Sequence, residues 1–478
     1  MPHDHDTLKR PTVIVGTVHV VVAVLYWLVL GVTIVHDFGP DKWGWFWQSV
    51  PTELLRTRAV ESIWYMHGQP PLWNIVGALL IKLFGSLHMQ ALQALHIALG
   101  AAIASLCVQI VGRATRSPRL ALLTGLVVAL HPALFLFEAY ALYTTAAAFL
   151  ITSAAYLVTR AQEAAGARAA MGFVAIVVAL IMTRSVYHLI LLLGVVPLAL
   201  LLIRRPTRRQ LVLLLVLVLL PTAWYGKNRI QYGFFGASSW YGMGLWRTAL
   251  FDQDSAVLDE LYATGTLSPV VRVEAFAPPI EYRRLGYDEE SLIPVLSGND
   301  SHNINIPTIS REYRASAVLL IKASPRQYLR NVITAYGNFA TPSTDFVHLT
   351  DNRERIRLHA SVEQTILGRP LVARLENELG GYYGSFYFLL FPAVLLLYGF
   401  QVTRELHPRN ALQRIREDAA PLFMAAIICY TIVIACAMEL GENLRFKFVI
   451  EPVFLALSVI VCFRLVHGFR KQETPARL

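Results

Sequence analysis

Apolar stretches of about twenty residues recur along this chain, each long enough to cross the ~30 Å hydrocarbon core of a bilayer. Only 15% of the residues are charged and 55% are hydrophobic, with a mean hydropathy of +0.49. Soluble domains carry about 25% charged residues. The sequence therefore predicts an all-α polytopic membrane protein of about ten transmembrane helices. The expected spans are 13–35, 89–111, 119–137, 142–159, 171–185, 187–203, 210–225, 384–401, 420–438 and 446–463. The first run, from Val13 to Val35, is too long for the apolar region of a cleavable signal and lacks a small-residue cleavage site. Cys107, Cys429, Cys436 and Cys462 all fall in apolar runs, so they read as small buried hydrophobes.

The formal charge of +10 would point a soluble protein toward nucleic acid. Here the cations gather in short loops, and their distribution sets orientation. With the N-terminus inside, segments 1–12, 112–118, 160–170, 204–209, 402–419 and 464–478 hold eighteen Lys and Arg residues, whereas the short outer turns hold Arg445 alone. Both termini are expected in the cytoplasm. Three regions follow: a membrane module over 1–225, an extracytoplasmic segment over 226–383, and a second membrane module over 384–478. Residues 71–85 begin with Pro-Pro and contain Asn74 and Lys82. Counting them as a span would invert every later loop, so they are expected to lie in the outer interface. Residues 52–66 read as an amphipathic helix, and 310–335 as a helix interrupted at Pro325.

The most telling local stretch is His67-Gly-Gln-Pro-Pro-Leu-Trp-Asn74, which follows a loop carrying Asp37 and Asp41-Lys-Trp-Gly-Trp-Phe-Trp47. Ionisable groups beside spans are costly to desolvate and so merit a functional reading. Asp37, Asp41, His67, Gln69, Glu138, Arg184, His188, Lys227, Arg229, Glu442, Arg445 and Lys447 all collect on the expected outer side. A carboxylate there can take a proton from an acceptor hydroxyl. Arg and Lys can hold a phosphate leaving group. Plainer roles compete with these. Asp37 and Asp41 can cap a helix, Arg184 can snorkel, and Lys227 and Arg229 can be ordinary flanking charges. Glu451 can pair with Lys447, and His96 and His131 can be packing residues. There is no His-x-x-x-His spacing, no P-loop and no Gly-x-Ser-x-Gly. Asn299-Asp-Ser301 fits a glycosylation sequon.

The order of these motifs resembles the GT-C superfamily of integral-membrane glycosyltransferases, closest to the protein O-mannosyltransferase and lipid A aminoarabinose transferase branch. The acidic first outer loop, the Pro-Pro-Leu turn, Trp224-Tyr-Gly-Lys-Asn-Arg229 with Tyr232-Gly-Phe, and Glu442-Asn-Leu-Arg-Phe-Lys-Phe-Val-Ile-Glu-Pro452 carry the likeness. It covers residues 13 to about 245 and 439–455, and 246–383 matches no pattern. The resemblance implies Asp41 as catalytic base, with Asp37 as runner-up. It implies Arg184, Lys227, Arg229, Arg445 and His67 as donor-phosphate contacts, and Gln69, Glu138, Tyr140 and His188 as pocket residues. Gln69 stands where many members have Lys, and the usual Asp-Glu doublet is absent. The implied reaction is inverting transfer of a sugar from a polyprenyl-phosphate donor to a glycolipid, polysaccharide or protein acceptor at a bacterial inner membrane; no cofactor is expected and no metal-ligand set is read from the sequence. A lipid-substrate flippase and an O-antigen polymerase or ligase are the competing readings.

Overall fold

The computed structural model describes residues 7–34, 41–163, 166–287, 305–405 and 410–472. Every regular element among them is helical, and the chain is an all-α polytopic membrane protein. The first half contains α1 (Lys9–Leu28), α2 (Thr52–Thr57), α3 (Ala59–Trp64), α4 (Leu72–Phe84), α5 (His88–Thr115), α6 (Pro118–Ala129), α7 (Pro132–Glu138), α8 (Thr144–Ala161), α9 (Gly166–Thr183), α10 (Leu192–Ile203) and α11 (Arg208–Tyr232). Then come α12 (Tyr241–Leu250), α13 (Ser255–Ala263), α14 (Pro279–Arg283), α15 (Ile306–Ala323), α16 (Pro325–Ala340), α17 (Thr350–Arg355), α18 (Arg357–Ile366) and α19 (Arg369–Leu379). The chain closes with α20 (Tyr387–Glu405), α21 (Ala411–Glu417), α22 (Ala419–Met438) and α23 (Asn443–Gln472).

Each of the ten expected spans overlaps a helix, but α1 ends at Leu28 and the span over 119–137 is divided between α6 and α7. Seven helical stretches are long and apolar enough to cross a membrane: Lys9–Leu28, Leu72–Thr115, Gly166–Thr183, Arg208–Tyr232, Tyr387–Arg404, Ala419–Met438 and Asn443–His467. An eighth combines α6 and α7, bent by 49° where Pro132 opens α7. The apolar stretch Leu189–Ile203 is shorter. Helix α8 is less apolar because it carries Thr144, Thr145, Thr152, Ser153 and Thr159. It is buried on most sides against α5, α9, α22 and α23, so it does not need a lipid-facing apolar surface. The stretch Leu72–Thr115 is not one rod. Gly85 takes φ +56°, a backbone favourable only to glycine, and breaks it. Trp73 at the start of α4 then stacks on His96 in α5 with ring centroids 5.7 Å apart, so α4 folds back along α5. The expected helix over 52–66 is two short helices broken at Arg58. The break at Pro325 separates α15 from α16.

Helix α5 is the hub, packing on α1, α6, α8 and α23. Close approach is possible because Gly100 has no side chain: a Cβ there would sit 1.9 Å from Glu138 Oε1 and 2.7 Å from His19 Nε2. His19 Nε2 and Glu138 Oε1 hydrogen-bond at 2.6 Å, and His19 Nδ1–H donates to the Ala129 carbonyl at 2.8 Å. Pairing keeps these buried groups affordable. The middle of the chain is built in two parts. Trp240, Met243, Trp246, Tyr282, Ile309 and Tyr313 form a small separate core around α12 and α15. Farther on, Phe339, Phe346, Leu349, Ile356 and Leu367 belong to the same core as the spans. The sequon Asn299–Ser301 lies outside the described residues.

Gly100→Val should force α5 away from α1 and α7 and cost about 1–3 kcal/mol. The check is thermal unfolding in detergent, with Gly194→Ala, which meets open space, as the unchanged control.

Candidate active site

A cavity of about 1300 Å³ opens at the end of the bundle that carries the α9–α10 and α22–α23 turns. Its walls come from the Trp45–Gln48 loop, Gln69, Tyr140 and Tyr143, the turn of Arg184, Ser185, Val186 and His188, residues 233–242 with Gly244 and Arg247, His348, and Met438, Glu439, Glu442, Arg445 and Phe446. Trp45, Phe46, Trp47, Trp240 and Phe276 give it aromatic sides.

Two arginines dominate the floor. Arg184 is 1% exposed, and neither Nη1 nor Nη2 has a hydrogen-bond partner among the described residues. Its Cζ lies 4.0 Å from the Phe446 ring centroid and 5.5 Å from that of Tyr143. Arg445 is 2% exposed and shares the same two rings at 6.0 and 5.8 Å. Its Nη2 donates to Glu442, while Nε and Nη1 have no hydrogen-bond partner among the described residues. Two buried guanidiniums thus face one carboxylate. Burial, and then the Arg445 cation, pull the Arg184 pKa below the usual arginine value. The aromatic faces offset part of the cost.

A second carboxylate lines the cavity. Glu439 caps the end of α22, and Arg247 Nη1 donates to its Oε1 at 3.2 Å. Burial, and to a lesser extent the Glu442 charge, push its pKa up to about 7 despite the opposing pull of Arg247 and Arg445. It can therefore hold or release a proton near neutrality. His348 lies among Trp45, Tyr140 and Phe346. Burial, chiefly, lowers its pKa and keeps it neutral at pH 7.

Of the sequence-predicted residues, Arg184, Arg445, Gln69, Tyr140, His188 and Arg229 line this cavity. Gln69 Oε1 accepts from the Ser185 backbone N–H at 3.3 Å, tying the Pro-Pro turn to the Arg184 turn. The backbone N–H of His188 donates to Tyr430 Oη at 3.0 Å, and that hydroxyl donates to the Val186 carbonyl at 2.7 Å. Arg229 is exposed at the rim and donates to the Gly233 carbonyl.

Four others are not brought to the cavity. Asp41 accepts from Gly44 N and Thr52 N, both at 2.8 Å, and from Thr52 Oγ1 at 2.6 Å. Its two oxygens are occupied in folding the tryptophan loop and starting α2. It thus positions Trp43, which stacks on Trp73 at 5.5 Å, and takes no part in the cavity wall. Lys227 Nζ donates to the Met66 and Trp64 carbonyls at 2.6 and 3.1 Å, and lies 3.8 Å from the Trp224 ring centroid. It clamps the loop before the Pro-Pro turn instead of reaching a ligand. His67 Nδ1 hydrogen-bonds Ser239 Oγ at 2.9 Å. Burial, and then the Lys227 cation, push its pKa down to about 3, and it is not among the residues that line the cavity. Glu138 belongs to the α1–α7 packing described above. Asp37 lies outside the described residues.

Sequence reasoning missed Glu439, Arg247, Tyr143, Phe446 and His348 as site residues. Glu439 and Phe446 flank the Glu442–Arg445 pair, so proximity to that charged turn was a usable signal. Arg247 and His348 sit where no motif was legible. Away from the cavity, His131, Glu363 and Glu451 place ligand atoms within 4.8 Å of one another. Lys447 Nζ stands 3.2 Å from Glu451 Oε1 and supplies a cation there, as the spacing of those two residues allowed.

No family profile and no curated protein matches this chain. Among solved structures, the Archaeoglobus fulgidus oligosaccharyltransferase tethered to an acceptor peptide is 13% identical over 98% of this chain and 51% of its own, with a TM-score of 0.42. The same enzyme, AglB, with an inhibitory peptide and a dolichol-phosphate is 14% identical over 98% and 52%, with a TM-score of 0.39. ArnT from Cupriavidus metallidurans bound to undecaprenyl phosphate is 15% identical over 97% and 81%, with a TM-score of 0.34. This chain spans about half the length of the oligosaccharyltransferase. Matches this loose place no residue in a role.

Lys227→Met should leave the Trp64 and Met66 carbonyls unpaired and cost about 2 kcal/mol. The check is the melting temperature in detergent, which should fall.

Proposed function

We propose that this protein is a glycosyltransferase that moves a sugar from a polyprenyl-phosphate donor to a hydroxyl acceptor in this cavity. The observation that carries the reading is the Arg184–Arg445 pair: two buried guanidiniums with four nitrogens that have no hydrogen-bond partner among the described residues. Planar guanidinium forks match the non-bridging oxygens of a phosphate. The pair lies beside the ends of membrane-length helices, the depth at which a lipid headgroup would place its phosphate. The order of motifs in the sequence supports the same assignment.

In the proposed step the acceptor oxygen attacks the anomeric carbon. The bond from that carbon to the phosphate oxygen breaks, and its electron pair leaves with the polyprenyl phosphate. Arg184 and Arg445 hold the developing charge. Glu439 takes the acceptor proton, and Arg247 orients its carboxylate. A single direct displacement inverts the anomeric centre. Tyr143 and Phe446 keep the guanidiniums planar to one side, and the tryptophan loop supplies faces on which a sugar ring can stack. The basic-loop bias supports a cavity on the non-cytoplasmic side with both termini in the cytoplasm, and on this reading the membrane is a bacterial inner membrane. The acceptor is then a glycolipid, polysaccharide or protein of the envelope.

Purified protein in vesicles, supplied with labelled polyprenyl-phosphate sugars and envelope acceptors, tests this. Arg184→Ala and Arg445→Ala should each lower kcat/KM by about 100-fold. Unchanged transfer in both would reject the anion site. A base must be deprotonated, so activity should rise as pH rises through about 7, the value of Glu439. Glu439→Gln should remove that rising limb together with most of the activity. Should Glu439→Gln stay active while Asp37→Asn is dead, Asp37 is the base instead.

A further inference from the structure

The middle of the chain contains an apolar surface that the cavity does not use. On α18, Leu358, Val362 and Ile366 are exposed at four-residue spacing, Leu358 by 82% and Ile366 by 70%. On α19, Leu371, Leu375 and Leu379 repeat the pattern, Leu379 by 71%. Residues four apart share one helix face, so each helix presents an aliphatic stripe. The opposite face of α18 is buried through Ala360 and Glu363. Gly368, at φ +66°, turns α18 into α19, and the Leu367 carbonyl accepts from Phe386 N at 2.9 Å, at the start of α20.

Depth distinguishes this stripe from an ordinary exposed patch. Glu363 lies 3.9 Å from His131 Nε2, at the bend between α6 and α7. Ser343 donates its backbone N–H to Glu363 and its hydroxyl to Glu451. Glu451 is eight residues into α23, about 12 Å from that helix's start, and His131 is about 10 Å from the far end of α7. Helix α18 therefore packs well below the ends of two spans. His359 Nδ1 also hydrogen-bonds Tyr26 Oη, inside the α1 span, at 3.0 Å. Side-chain contacts from α17 reach the segment just after α1: Asn352 Nδ2 donates to the Thr33 carbonyl at 2.7 Å. Helix α18 thus meets α1 through His359, and α1 exposes Val21, Leu25 and Leu28 of its own.

We propose that α18 and α19, residues 357–379, form a re-entrant helical pair embedded in the outer leaflet, with their stripes against phospholipid acyl chains. The segment leaves the aqueous side after α16, dips beside α1 and α7, and returns at Gly380 to enter α20. Soluble surfaces rarely expose contiguous aliphatic patches of this kind. Burial of the inner face among span residues excludes a freely projecting domain. This inference stands on packing alone and survives failure of the proposed chemistry.

The test uses the full chain with Cys429 and Cys462, the two exposed cysteines, changed to Ala. Val362→Cys and Leu375→Cys are labelled with a thiol-reactive fluorophore and reconstituted into phosphatidylcholine vesicles containing doxyl-labelled phosphatidylcholine. Ala263→Cys, on α13, is the aqueous control. Both stripe positions should be quenched by the doxyl lipid, and should react with a membrane-impermeant maleimide about tenfold more slowly than the control. Reaction at the control's rate would overturn the proposal. So would protection from the maleimide without doxyl quenching, which is the outcome if another protein or a second copy covers the stripes.

Discussion

Everything in the cavity is arranged around two guanidiniums held side by side away from water. Burying a charge costs several kcal/mol unless it is paired, and among the described residues Glu442 is the carboxylate that hydrogen-bonds this pair, through Arg445. The remaining compensation comes from the faces of Tyr143 and Phe446. Such an arrangement is poor as a fold stabiliser. It is well suited to a ligand that brings negative charge, because the fork geometry is already set and little side-chain freedom remains to be lost.

Rigid supports hold that pair. Arg184 follows the last turn of α9 directly, and its turn is tied to Gln69 on one side and to Tyr430 on the other. Arg445 opens α23, where Asn443 closes the preceding turn by donating to the Ala435 and Glu439 carbonyls. The same turn delivers Glu439 and Glu442 to the cavity. One short connection thus supplies two carboxylates, Glu439 and Glu442, and the first turn of α23 adds the cation Arg445. The tryptophan loop reaches the opposite wall because Asp41 organises its backbone, and the Pro-Pro turn holds its place because Lys227 clamps the carbonyls before it.

The spans were legible because hydrocarbon thickness imposes a length on apolar runs that no packing detail can erase. Arg184 and Arg445 were legible for a related reason, as charges beside such runs are costly enough to need a purpose. Asp41 was not, since an acceptor that caps a loop and a base that attacks a proton look alike in sequence. Their difference lies in whether Thr52 and Gly44 point their N–H groups at the carboxylate. Lys227 posed the same ambiguity, resolved by two carbonyls more than 160 positions earlier in the chain. Residues 246–379 gave little, because their amphipathic helices are short and their partners lie in distant spans: Glu363 meets His131, and His359 meets Tyr26.

The most direct test is a magnetic-resonance distance between phosphorus and guanidinium nitrogen, using protein labelled with ¹⁵N-arginine and loaded with polyprenyl phosphate in lipid. The account expects phosphorus within about 4 Å of the side-chain nitrogens of Arg184 and Arg445, assigned by loss of each signal in the corresponding Lys variant. A phosphate that binds with no coupling to either residue, or that couples only to Arg229 at the rim, would contradict it.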